Sequence, residues 1–367
     1  MVKLGISIYP SLASKKRDME YISKASSLGF CSIFTCLLSV KQGEEEVTKN
    51  LFKEINAFAK SLGMEVTFDV APSVFERFDI SYDDLSFFKE LDAYAIRLDE
   101  GFDSQKEALL SHNPQGLKIV FNASNATKNL ENSICFGGNK EKIEACHNFY
   151  PQRYTGLSFE HFKTCNTAII SLNIPIGAFI SSQNPTTFGP WPVFEGLCTL
   201  EQHRNLPISL QARHLVATKQ ISQIIIANAY ASDEELEEIS KMDYSKLVLG
   251  INLLDTTLPI EKEIILQYSH SVRGDMSEYM ARSTQCRITY KEADIPPHDT
   301  LDLKRGDVVI LNNLYGRYKG ELHIVLKDMV NEGNKNIVGR LDSNEQILLE
   351  YLLPWTLFQL QVKKEIS

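Results

Sequence analysis

Eight short apolar runs, at residues 4–9, 30–36, 64–70, 93–98, 117–121, 143–148, 174–180 and 223–228, divide the first two-thirds of the chain into one repeating unit. All but one are spaced roughly 25–35 residues apart, the length of a strand, a loop and a helix. Segments of helical periodicity alternate with them, as at 16–28, 45–62 and 83–91, and two of these close on Leu-Gly (Leu28-Gly29, Leu62-Gly63), where glycine can take a left-handed cap. Strand after helix after strand, with runs apolar on both faces, means parallel pairing through right-handed crossovers. Eight units favour a closed (β/α)8 TIM barrel. An open doubly wound sheet would be expected to carry a Gly-rich turn after its first strand, and there is none.

A barrel takes about 250 residues. The chain has 367, so a second domain is expected. From about residue 243 the pattern changes to short runs at 286–290, 307–311, 321–326, 337–341 and 356–362, separated by turn-like Pro296-Pro297, Asn312-Asn313 and Glu332-Gly333-Asn334. The expected division is a barrel over 1–245 and a small, mainly antiparallel β domain over 250–367.

Facing follows from alternation. In a closed parallel barrel the outward residues pack on helices and must be apolar, so polar alternates face the axis. Tyr9, Asp69, Arg97, Asp99, Asn122, Asn148 and Ser181 are selected in this way at the C-terminal ends of the runs, where barrels carry their chemistry. Charged groups buried together are costly unless paired. An Arg97–Asp99 bridge either closes the barrel or separates the proton affinities of two carboxylates for acid and base work. Glu100 and Glu195 lie on loops at the same end as further candidate acids, or as solvated loop residues. Between the seventh and eighth runs a long segment, Ser181 to Arg204, delays the helix and is a candidate substrate loop.

Composition bounds the partners. Net charge is −9 with no block of lysines or arginines, which argues against nucleic acid. No stretch is long and apolar enough to span a membrane, and the N-terminus lacks a signal-type core. Seven scattered cysteines without a CxxC pair read as free thiols in a reducing compartment, the cytoplasm. No zinc-ligand spacing, HExxH or GxSxG occurs, so neither metal nor cofactor is expected.

The stretches Arg97-Leu-Asp-Glu-Gly-Phe102, Asn122-Ala-Ser-Asn125, His147-Asn-Phe-Tyr-Pro151 with Tyr154-Thr-Gly-Leu-Ser158, and Phe194-Glu-Gly-Leu-Cys-Thr-Leu-Glu-Gln-His-Arg204 resemble those of the 6-phospho-N-acetylmuramidase family, the MupG type. His270-Ser-Val-Arg-Gly-Asp275 and Tyr315-Gly-Arg-Tyr-Lys-Gly-Glu-Leu322 resemble that family's second domain. The resemblance implies a TIM barrel followed by a cyclophilin-like β-barrel. It also implies exo-hydrolysis of the β-1,4 bond in MurNAc 6-phosphate–GlcNAc during cell-wall recycling. Cys198 and Trp191 depart from the proline and the smaller residue that it leads one to expect.

On this footing Asp69 and Asp99 form the expected carboxylate pair, with Glu100 or Glu195 as substitute acids. Tyr9, Arg97, Asn122, Asn148 and Tyr150 line the sugar site. The 6-phosphate is expected near the seventh and eighth strands, at Ser181, Ser182, His203, Arg204 and Asn228, or at Arg153 after the sixth. Two other functions stay open: a sugar-phosphate isomerase or aldolase using Lys118, and a non-catalytic sugar-phosphate sensor. The second domain either completes the pocket or joins two chains into a homodimer.

Overall fold

The computed structural model describes residues 2–38, 43, 45–99 and 102–362. The chain divides into two compact units, Met1–Met242 and Asp243–Ser367. In the first, eight parallel strands close into a barrel in sequence order: β1 Lys3–Ser7, β2 Ser32–Cys36, β3 Glu65–Val70, β4 Ala93–Leu98, β5 Lys118–Asn122, β6 Ile143–Cys146, β7 Ile176–Ile180 and β8 Gln223–Ile226. Each falls within two or three residues of its apolar run. Gly29 and Gly63 sit at φ of 86° and 76°, the left-handed conformation that ends a helix cleanly.

Helices wrap the outside. Ser14 caps the helix Lys15–Ser27 by accepting from the Arg17 amide at 3.3 Å. Ser158 does the same for Phe159–Ser171 through the His161 amide. Outward side chains of the strands meet these helices: Phe68 of β3 lies with its ring 5.3 Å from Phe52 of the helix Glu45–Ser61 and 6.3 Å from Phe88 of Ser86–Glu90.

The axis is solid. Phe34, Ala95, Val120, Cys146, Phe179 and Ile225 point inward from six strands and pack with Ala227 and with Leu197, which comes from the long segment after β7. At the N-terminal ends of the strands polar groups satisfy one another: Lys3 pairs with Glu65 at 3.0 Å, Tyr94 donates to Glu144 at 2.9 Å, and Gln223 donates to Ser32 at 2.8 Å. A Cβ on Gly5 would stand 2.4 Å from the Ser32 Oγ and 3.3 Å from the Ser32 carbonyl oxygen, so glycine lets β1 and β2 approach there without displacing the serine hydroxyl.

The second unit is a nearly closed, mixed seven-stranded barrel in the order β10-β15-β9-β14-β12-β13-β11. Its strands are β9 Leu247–Leu253, β10 His270–Ser271, β11 Met280–Ser283, β12 Asp307–Leu311, β13 Leu322–Val325, β14 Lys335–Leu341 and β15 Leu357–Val362. All pairs are antiparallel except β15 with β9. The strand expected at 286–290 is instead a single helical turn, Cys286–Thr289, closed by the Tyr290 amide on the Cys286 carbonyl at 2.9 Å. The preceding β11 already occupies the edge of β13, leaving that segment no ladder to join. Among the described residues no helix is long and apolar enough to cross a membrane.

Candidate active site

The register of the third and fourth strands sets Asp69 directly beside Arg97. Asp99 follows two residues later, on the same side of the chain, held in the ladder by its amide on the Val70 carbonyl at 2.9 Å. Arg97 is only 2% exposed. Its Nη1 donates to Asp69 Oδ1 at 2.5 Å and to Asp99 Oδ1 at 3.2 Å, and its Nη2 donates to Asn148 Oδ1. Because both carboxylates use one nitrogen, their Oδ1 atoms lie no farther apart than those two bonds laid end to end. Arg97 Nε is buried without a hydrogen-bond partner among the described residues.

The two acids live in different surroundings. Asp69 has an 8% exposed side chain against 29% for Asp99. Burial pushes the Asp69 carboxyl up to about 6, opposed by the Arg97 charge and assisted by the Asp99 charge. This is desolvation outweighing a favourable ion pair.

Around this centre a polar shell fixes the strand ends. Asn122 Nδ2 donates to the Asp99 carbonyl at 3.1 Å, and the Ser124 amide returns to Asn122 Oδ1 at 2.9 Å. Ser124 Oγ accepts from the Asn148 amide at 2.8 Å, and Thr199 Oγ1 donates to the Asn148 carbonyl at 2.8 Å. His147 is buried against Asn166 at 2.7 Å, and burial drops its imidazole to about 4, so it stands neutral as a scaffold. Half-buried Tyr150 lies beside Asn148. Ser124, Thr199 and Asn166 were not among the expected site residues. The one sequence signal was Asn166, an amide set among the apolar positions Phe162 and Ile169 of its helix.

Several of the expected ligands also hold loops. His203 is fully buried against His214 at 2.8 Å. Arg204 forks onto Glu201 at 2.7 and 2.6 Å, and its Nη1 binds the carbonyls of Tyr150, Glu195 and Gly196. Glu201 also accepts from the Tyr154 and Gly156 amides, at 2.9 and 2.8 Å, and the Arg204 hydrogen bonds hold its carboxyl near 2. Ser181 is buried and takes the Leu197 amide at 3.0 Å. Asn228 pins Ser182 in both directions, at 2.7 and 2.9 Å, and Ser182 Oγ donates to Glu235. Tyr9 is buried and donates to the Ala227 carbonyl at 2.6 Å. Among the described residues His203 Nδ1 is buried without a hydrogen-bond partner.

Arg153 and Glu195 differ. Both are exposed beside Tyr150, with Arg153 Nε 3.8 Å from the Glu195 carboxylate and its amide donating to it at 3.0 Å. Glu100 lies outside the described residues. Lys118 begins β5, at the far end of the barrel from Asp99, and donates to the Glu141 carbonyl at 2.5 Å. A crevice of about 290 Å³ opens beside Asp99 and Asn122. Among the described residues no group of three His, Cys, Asp or Glu side chains is arranged to hold a metal ion.

The sequence model for the N-terminal part of 6-phospho-N-acetylmuramidase matches residues 4–241, and that for its C-terminal part matches 247–361. Two solved structures share both units. One is an uncharacterized B. cereus protein, 47% identical, covering 98% of this chain and 100% of its own, with a TM-score of 0.91. The other is a conserved Enterococcus faecalis protein of unknown function, 25% identical, covering 99% and 97%, with a TM-score of 0.74. No curated protein matches the chain. With family models matching both units in order over almost its whole length, the chain belongs to the 6-phospho-N-acetylmuramidase family.

Proposed function

We propose that the protein hydrolyses the β-1,4 bond of MurNAc 6-phosphate–GlcNAc, releasing MurNAc 6-phosphate and GlcNAc, with Asp69 and Asp99 as the reacting carboxylates. The observation that carries this is their convergence on one Arg97 nitrogen. Asp69, whose carboxyl is pushed up to about 6, is the proton donor to the leaving oxygen. Asp99, the more exposed of the two, meets the anomeric carbon. Their Oδ1 separation stays below the ~6.5–9.5 Å that an inverting enzyme leaves for water, which favours a covalent intermediate and net retention. Arg153, an exposed cation in the loop after the sixth strand, is a candidate for the 6-phosphate. Such a substrate arises in the cytoplasm during cell-wall recycling, which is where the enzyme would act. A Schiff-base reaction is disfavoured by the distance of Lys118 from the strand ends that hold Asp69 and Asp99.

The test is proton NMR of the sugar released at early times. The first anomer of MurNAc 6-phosphate should be β, and Asp99→Asn should lose at least ~10³-fold in kcat, the scale of removing one member of a catalytic set. An α first product refutes the retaining pair. Near-normal turnover of the variant removes Asp99 from the chemistry.

A further inference from the structure

We propose that Asn148 reads the C2 substituent of the muramic residue, its side-chain amide donating to the carbonyl oxygen of the 2-acetamido group. This deepens the muramidase reading and rests on it. The orientation of the amide follows from its partner. A guanidinium has donors and no acceptor, so the oxygen of Asn148 faces Arg97 Nη2 and its Nδ2 is turned away from the cation.

The residue is fixed on three sides. Its backbone amide donates to Ser124 Oγ and its carbonyl accepts from Thr199 Oγ1, each at 2.8 Å, while Arg97 holds its Oδ1. Asn122 and Asn228, at the ends of the fifth and eighth strands, engage oxygen and nitrogen alike on protein groups. Asn148 differs: its Nδ2 carries two protons, and the Tyr150 phenol beside it can take one, leaving the other for a ligand. Burial sets the direction of approach. Arg97 and Asp69 are buried, while Asp99 and Asn148, bound to the two arms of that guanidinium, are half-buried. A sugar arriving at this centre therefore meets the Asp99 carboxylate and the Asn148 amide side by side, with the buried pair behind them.

With the anomeric carbon ~3–3.5 Å from an Asp99 oxygen, the atoms one bond further on are the ring oxygen, the leaving oxygen and C2. A donor at the ring oxygen would oppose the positive charge that develops there in an oxocarbenium-like transition state, and the leaving oxygen belongs to the acid. The C2 substituent is the one that gains from a neutral donor, because hydrogen bonds at this position strengthen in the transition state. In a muramyl sugar the acceptor it offers is the acetamido carbonyl.

The experiment compares 4-nitrophenyl β-glycosides of MurNAc 6-phosphate and of its 2-deoxy counterpart, which has no acceptor at C2, on the full-length protein. Calorimetric binding of the two free sugar phosphates runs alongside. Asn148→Asp keeps an oxygen for Arg97 and removes the donor, and Asn148→Ala removes both. Their melting temperatures report folding. The ratio of kcat/KM for the acetamido over the 2-deoxy glycoside should fall by about tenfold or more in each variant, the scale of losing one specific hydrogen bond to substrate. A residue that only steadies Arg97 would slow both glycosides alike, so a ratio that survives in either folded variant overturns the assignment, whatever the rates. Should wild type cleave neither glycoside, the hydrolase reading fails, and the ratio of the two binding constants, expected to fall in the same way, decides the role of Asn148. Wild type that binds neither sugar overturns both.

Discussion

Asp69 carries a pH dependence that belongs to one side chain. Its carboxyl lies near 6 in the folded chain, above its ordinary value near 4, because burial disfavours the charge. A raised value means that the protonated form is preferentially stabilised, so this contribution is complete below about pH 4 and is lost as pH rises through about 6. Urea midpoints of wild type and Asp69→Asn measured at pH 4 and pH 7 should therefore diverge, the variant gaining relative to wild type at the higher pH. If Asp69 is the acid, kcat/KM should also fall above about pH 6 as its proton is lost. Arg97→Met should be worse than either, because it leaves two carboxylates sharing a buried site without their cation. A loss of ~3–5 kcal/mol in denaturant unfolding is expected, the scale for breaking a buried ion pair from one side.

The positions of Asp69, Arg97, Asp99, Asn122 and Asn148 were legible because a strand alternates with a period of two, and one apolar face fixes the other. The loop contacts of His203 and Arg204 were not. An arginine's partner depends on how a loop folds, although Glu201, three residues before Arg204, was the hint.

At the scale of elements, the segment between β7 and the helix Ile208–Ala217 is the clearest case of structure that periodicity cannot supply. It has no ladder of its own. It is held by the Thr199 amide on the Phe179 carbonyl at 3.1 Å, by the paired amides of Phe188 and Ala229, and by the Glu201–Arg204 fork. Glu201→Ala removes the acceptor for Tyr154, Gly156 and Arg204 together. It should cost about 1–3 kcal/mol, and hydrogen exchange should quicken around residues 153–157 and 195–204 before anywhere else in the barrel. The barrel strands themselves were readable to a few residues, since each is buried on both faces. The turn Cys286–Thr289 was misread because Ile288 and Thr289 favour strands locally, while β11 holds the pairing edge.

For the whole molecule, each unit has its own ladder and its own apolar interior, the first around Phe34 and Phe179, the second with a cluster at Leu303, Val309, Val325 and Ile337. Units with separate cores usually fold separately. A fragment ending at Met242 should give a cooperative thermal transition and a far-UV circular dichroism spectrum typical of mixed helix and sheet. The two-unit division was visible in the change from long to short spacing. The mixed pairing of the second sheet was not, because β9, which pairs in parallel with β15, begins at Leu247, ahead of the region where strands were sought.

Leu197 reaches down from a loop to meet Phe34 and Phe179 on the barrel axis, like a stopper pushed into a bottle. A stoppered cylinder offers no tunnel from one rim to the other, so a molecule that settles among the strand ends has to back out by the way it came. Two products formed there would leave in succession, and whichever lies deeper must wait for the other.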